Sequence, residues 1–186
     1  MKETKTTLHT KTIFSDDETK RYLLQKVWDP EKPRMTVIML APSEAAGIEL
    51  DSSTLLVLNN VSRLGYGSVD ILNLFATLND FSLREAERED AENLKAIISS
   101  AKKADCIVYA AGVGKAKNKT FVRRQEQVME ALRAFEDKLY CLCSENGDAR
   151  LQHPLSPAVR TWCLSPLKVV ELLPEKTKAT QKSQTK

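Results

Sequence analysis

Read for hydrophobic and polar positions, the chain alternates short apolar runs with longer segments of mixed character. Met35-Thr-Val-Ile-Met-Leu40 is apolar and rich in β-branched residues, with no polar alternation after Thr36. That pattern predicts a strand covered on both faces, as the inner strand of a parallel sheet is. It stops at Pro42, which has no N–H to give a ladder, and small or polar residues follow from Ser43 to Gly47. Asp51-Ser52-Ser53 then predicts a capped helix running to about Arg63, closed by Gly65-Tyr66-Gly67. A second apolar run, Val69 to Phe75, predicts another buried strand. Ser82 opens an acidic first turn, and the helical pattern behind it reaches about Lys103. Asp105 to Ala111 predicts a third strand and Lys138 to Cys143 a fourth, with a basic amphipathic helix from about Thr120 to Phe135 between them. Trp162 to Leu173 reads either as a helix or as an added strand.

The order strand, helix, strand, helix, strand, helix, strand calls for right-handed crossovers. The expected fold is a three-layer α/β sandwich around a mostly parallel sheet of about four strands. One domain over residues 13–173 is the natural unit for 186 residues. Residues 1–12, rich in Thr and Lys, read as a flexible N-terminus. Residues 174–186 read as a disordered Lys-rich tail, because they carry no acid after Glu175 and no large apolar side chain. Between these limits, Ile13 to Thr19 offers a helix start or a turn, and Arg21 to Trp28 supplies apolar anchors.

Composition narrows the class. Apolar content of 42% and charge of 28% describe a soluble globular protein. No apolar run approaches the roughly 20 residues of a membrane span, and the N-terminus lacks the apolar core of a signal peptide. A cytoplasmic location without membrane contact is therefore expected. Cys106, Cys141 and Cys163 sit in apolar contexts, and Cys141 with Cys143 has strand spacing rather than C-x-x-C spacing. With only two histidines in the chain, no metal and no cofactor is expected. A net charge of +3 is too mild to imply nucleic acid by itself.

Parallel strands bring their carboxyl ends to one edge, where open α/β sheets place ligands. Four segments should gather there: Ala41-Pro42-Ser43, Asn73 with the loop through Phe75 to Asp80, Gly112 to Lys115, and the turn before His153. Asn73 interrupts an apolar strand, and its amide needs partners for donor and acceptor alike. Those partners are either neighbouring backbone or the planar edge of a ligand. His153 is either a loop histidine or a functional one. Glu44 and Asp51 are candidate carboxylates beside the Ala-Pro-Ser loop, unless they only cap a helix. Lys115, Lys117, Lys119, Arg123 and Arg124 form a basic run that suits either a phosphate backbone or a solvated helix face.

Several motifs recur in order as they do in a known group. Phe14-Ser15, Tyr22, Trp28, Leu40-Ala-Pro-Ser43, Asp51 with Thr54, Gly65-Tyr-Gly67, Asn73-Leu-Phe75 and His153-Pro-Leu155 resemble an uncharacterised bacterial and phage family. Its members show G-L-N-P-S, N-L-F and H-P-L. That layout is in turn similar to the uracil-DNA glycosylase superfamily. The resemblance implies a glycosylase-like fold, with Asn73 reading a base edge and His153 stabilising the departing base. Ala41 and Leu40 stand where branches of that superfamily carry a water-orienting acid or amide, and Leu155 stands in place of a serine. The resemblance thus implies a base-binding pocket, acting on a DNA base or nucleotide, with DNA or a nucleotide as partner. The alternatives are a non-catalytic nucleic-acid or nucleotide module, or an interaction protein of a mobile element.

Overall fold

The computed structural model describes residues 1–78, 90–112, 118–147 and 150–173. Seven strands form one sheet: β1 (His9–Phe14), β2 (Arg21–Val27), β3 (Arg34–Met39), β4 (Ser68–Asn73), β5 (Cys106–Tyr109), β6 (Leu139–Cys143) and β7 (Cys163–Pro166). Three helices connect them: α1 (Ser52–Arg63), α2 (Ala91–Lys103) and α3 (Lys119–Leu132). Across the sheet the order is β1-β2-β4-β3-β5-β6-β7.

This sheet overturns the expected four-stranded, mostly parallel one. Its pairings divide evenly. β4 with β3, β3 with β5 and β5 with β6 are parallel. β1 with β2, β2 with β4 and β6 with β7 are antiparallel. The two N-terminal strands escape a reading based on apolar runs. In β1 polar residues dominate, and it begins at His9 inside the stretch expected to be flexible. In β2 the charged residues Arg21 and Lys26 are 1% and 0% exposed, so burial there runs against residue type. β7 settles the open reading of the C-terminal apolar piece as a strand, followed by a short 3-10 turn at Val169–Leu172.

Each face of the sheet has its own core. Met35, Val37 and Met39 of β3 point the same way as Val69 and Ile71 of β4, and pack under Val57 and Val61 of α1. Ile38 and Leu72 point the other way, under Ile97 and Ala101 of α2 and Phe121, Val128 and Met129 of α3. Strand alternation with both faces apolar is what a doubly covered sheet demands. Three helices begin on side-chain caps: Asp51 accepts from the Thr54 N–H, Asp90 from Asn93 and Asn118 from Phe121. Among the described residues no helix is long and apolar enough to cross a membrane.

Candidate functional site

At its carboxyl end β3 runs into Leu40, Ala41 and Pro42, and its neighbour β4 ends at Asn73, opposite Met39. The two ends remain zipped together, with Leu74 N–H donating to the Met39 carbonyl at 2.9 Å and Phe75 N–H to Leu40 at 3.0 Å. Beyond this seam lies a cavity of about 350 Å³, near the lower size of small-ligand sites. Ala41, Ser43, Asp51 and His153 line it, joined by Arg21, Met39, Leu40, Ser52, Ser53 and Leu155.

Asp51 is the hub. One carboxylate oxygen accepts the Thr54 N–H at 2.7 Å and thereby starts α1, while the other accepts the Ser43 hydroxyl. Burial pushes the Asp51 carboxyl up, but the bonds from Ser43 and Thr54, with Arg21 nearby, outweigh it and hold the group below its ordinary range. Asp51 is thus ionised at neutral pH. Across the cavity, His153 accepts the Leu155 N–H on Nδ1 at 3.2 Å. In the neutral ring that leaves Nε2–H as the donor. The His153 loop is tied to the sheet by Gln152 N–H, which donates to the Leu142 carbonyl at 3.2 Å. Gly112, just past β5 with φ +77°, lies against it: a Cβ there would sit 3.3 Å from the His153 Cβ.

Burial lowers the pKa of His153, and the Asp51 carboxylate only partly offsets that. Its folded-state value therefore lies below the unfolded one of about 6.5. Between the two values the unfolded chain binds more protons, so stability linked to His153 is complete above about pH 6.5 and declines as pH falls through the folded value. An NMR titration should place the His153 midpoint below that of an unstructured histidine. A midpoint at or above it would mean that Asp51, not burial, governs the ring.

A second layer holds the loop over the cavity. Arg21 donates through Nη1 to the carbonyls of Ser43 at 3.2 Å and Ala45 at 2.7 Å. Lys26 Nζ donates to the Gly47 carbonyl and, at 2.9 Å, to Thr10 Oγ1. Two buried cations from β2 thus fasten the segment between β3 and α1 by its backbone. Neither was legible as part of a site, because nothing in the local sequence marks either charge as buried.

Other expected site residues fall elsewhere. Asn73 is 1% exposed and ends β4 on the cavity's side of the sheet, but it does not line the cavity. Both its side-chain amide atoms are buried without a partner. Its carbonyl accepts from Asn93 Nδ2 at 3.0 Å. Phe75 belongs to the core on the opposite face, under α2 and α3, so it is not a pocket residue. Pro42 is buried outside the cavity lining, and Glu44 is exposed. The basic run does not form one surface. Arg124 is 1% exposed, with Nε donating to the Leu74 carbonyl at 2.7 Å, because its place on α3 faces inward. Lys119 and Arg123 are exposed, and Lys115 and Lys117 lie outside the described residues. Among the described residues no group of three or more His, Cys, Asp or Glu converges as a metal site.

A mainly apolar cavity with a few polar groups at the carboxyl edge of parallel strands, and a helix N-terminus at its rim, places the molecule among α/β proteins with a strand-end pocket. More particularly, the chain belongs to the family described as "Protein of unknown function (DUF1643)", which matches residues 21–155. That span begins at Arg21 and ends at Leu155, two residues of the cavity lining. Comparison with curated proteins and with solved structures gave no match.

Proposed function

We propose that the cavity binds a nucleobase, carried by a nucleotide or turned out of DNA, and that Asp51 and His153 act on its N-glycosidic bond. The observation that carries this reading is Asn73, a fully buried amide with neither donor nor acceptor paired. Burying such a group unpaired costs about 1–3 kcal/mol, and a ligand edge offering a matching donor and acceptor removes that cost. Asn73 ends β4 opposite Met39, which lines the cavity, and the unbranched, adaptable Met39 side chain suits a wall that yields to an entering ring. Leu155, 43% exposed at the rim, offers an apolar contact to a stacked base.

The chemistry suits the two ionisable groups. Breaking an N-glycosidic bond builds positive charge on the sugar and negative charge on the departing base. An ionised Asp51 favours the first, and a neutral His153 with Nε2–H as donor favours the second. A second reading has its own support: both Asp51 oxygens are already engaged, by Ser43 and Thr54. In that reading Asp51 is a helix cap and the protein binds without turnover.

The two separate in one experiment. Duplexes carrying modified or mismatched bases are incubated with protein and cleaved with alkali, while binding of the same duplexes and of free nucleotides is followed by anisotropy. Cleavage that drops on the order of 10²-fold or more in His153→Ala, with affinity little changed, supports the enzyme. Binding without cleavage supports the module. Binding of neither class of ligand rejects the base pocket altogether.

A further inference from the structure

We propose that Cys143 and Cys163 form a two-thiol oxidation site, which closes to a disulfide by exchange with glutathione disulfide. The two residues are direct partners in the antiparallel ladder between β6 and β7. Leu167 N–H donates to the Leu139 carbonyl, and Pro166, which has no N–H, stands opposite Tyr140. The alternation of an antiparallel ladder then makes Cys143 and Cys163 a hydrogen-bonded pair, whose Cα atoms lie about 5.5 Å apart. That Cα spacing falls inside the range of about 4.4–6.8 Å that disulfides occupy, while the Cβ atoms of such a pair, about 5.5 Å apart, must draw together by about 1 Å for the bond to close. Side chains of directly opposed residues share a face of the sheet. A second observation agrees: Cys143 Sγ donates to the Cys163 carbonyl at 3.4 Å, so it already leans onto its partner residue.

The other thiols are placed differently. Cys141 opposes Ser165, not a cysteine. Cys106, on β5, packs in the core beneath α1, whereas Cys141 packs in the core of the opposite face. Access is graded in the order a relay needs. Cys163 is partly exposed, and Cys143 is buried behind it. Burial, with Cys163 and Cys141 alongside, pushes the Cys143 thiol up, countered by Arg150, so Cys143 suits the second step.

The exchange balances in two displacements. The Cys163 thiolate attacks one sulfur of glutathione disulfide, forming a mixed disulfide and releasing one glutathione thiolate. The Cys143 thiolate then attacks the Cys163 sulfur, closing the intramolecular bond and releasing the second. Both protein thiols lose their protons to solvent. The protein is oxidised by two electrons and glutathione disulfide is reduced to two glutathione molecules.

The native full chain is incubated with glutathione disulfide, denatured and blocked with an alkylating agent. Thiols alkylated after denaturation should fall from the four of the reduced chain to two, and the intact mass before alkylation should be lower by two hydrogens. A tryptic map should join the peptide starting at Leu139 to the one starting at Thr161. Cys141→Ser should leave that link in place, which separates Cys141 from Cys143. Cys143→Ala, which keeps the buried position apolar, should remove the link and trap glutathione on Cys163. Circular dichroism confirms that each variant is folded. Retention of all four thiols in the oxidised wild type overturns the proposal, as does a Cys141–Cys163 link or a disulfide between chains.

Discussion

Replacing Arg21 with Met is expected to destabilise the domain by about 2–4 kcal/mol, the largest loss anticipated from any single change near the cavity. The size follows from what the guanidinium leaves behind. The carbonyls of Ser43 and Ala45 lose their donor, and the Asp51 carboxylate loses the positive charge beside it. Part of that loss should return when the orphaned charge is also removed. In R21M/D51N, the cost is expected to be smaller than the sum of the two single variants by at least about 0.5 kcal/mol, since coupled neighbours are not additive. Urea unfolding of the four proteins measures all three quantities. A loss below about 0.5 kcal/mol for R21M would mean that the segment from Ser43 to Gly47 holds itself in place without the clamp.

Asn73→Leu should act in the opposite direction on stability. An unpaired buried amide gives way to an apolar side chain of similar size, so the unfolding free energy should stay level or rise by about 1–2 kcal/mol. Ligand affinity should nevertheless fall roughly ten- to hundred-fold, the equivalent of about 1–3 kcal/mol of lost hydrogen bonding. Gain of stability with loss of binding is the mark of a residue retained for function against the interest of the fold. Thermal unfolding and anisotropy on the same preparation would show it. Should N73L melt well below the wild type, Asn73 is a scaffold residue whose partners form within the protein.

How much of this could be read from the residues alone depends on where burial follows residue type. β3, β4, β5 and β6 announce themselves as apolar runs, and Asp51 announces α1 because a cap acts on its own next turn. Ser43 and His153 line one cavity, whereas Asn73, expected beside them at the shared strand edge, lies outside its lining. What stayed hidden depends on distant partners. Arg21 and Lys26 are buried only because the carbonyls of Ser43, Ala45 and Gly47 come to meet them, and no local pattern reports that. Without those partners Arg21 to Trp28 reads as apolar anchors rather than as a strand, and the antiparallel half of the sheet goes missing. Arg124 misleads for the same reason: its basic neighbours suggest a charged face, while the Leu74 carbonyl draws it inward. Phe75 follows the strand-end logic in sequence but turns to the face under α2 and α3.

The antiparallel docking of β2 against β4 has a consequence for the time course of folding. Gln25 bonds Asp70 across the ladder, a separation of 45 positions, so β2 is synthesised well before its ladder partner. Until β4 arrives, Arg21 and Lys26 have no sheet to sink into and remain hydrated. The loop they fasten is translated in that interval, ahead of β4. Closure over such a separation is slow compared with the formation of α1, whose contacts are local. The cavity wall is therefore expected to set late, after the inner strands have paired. A nascent chain arrested short of β4 would carry the Ala-Pro-Ser segment without its final shape.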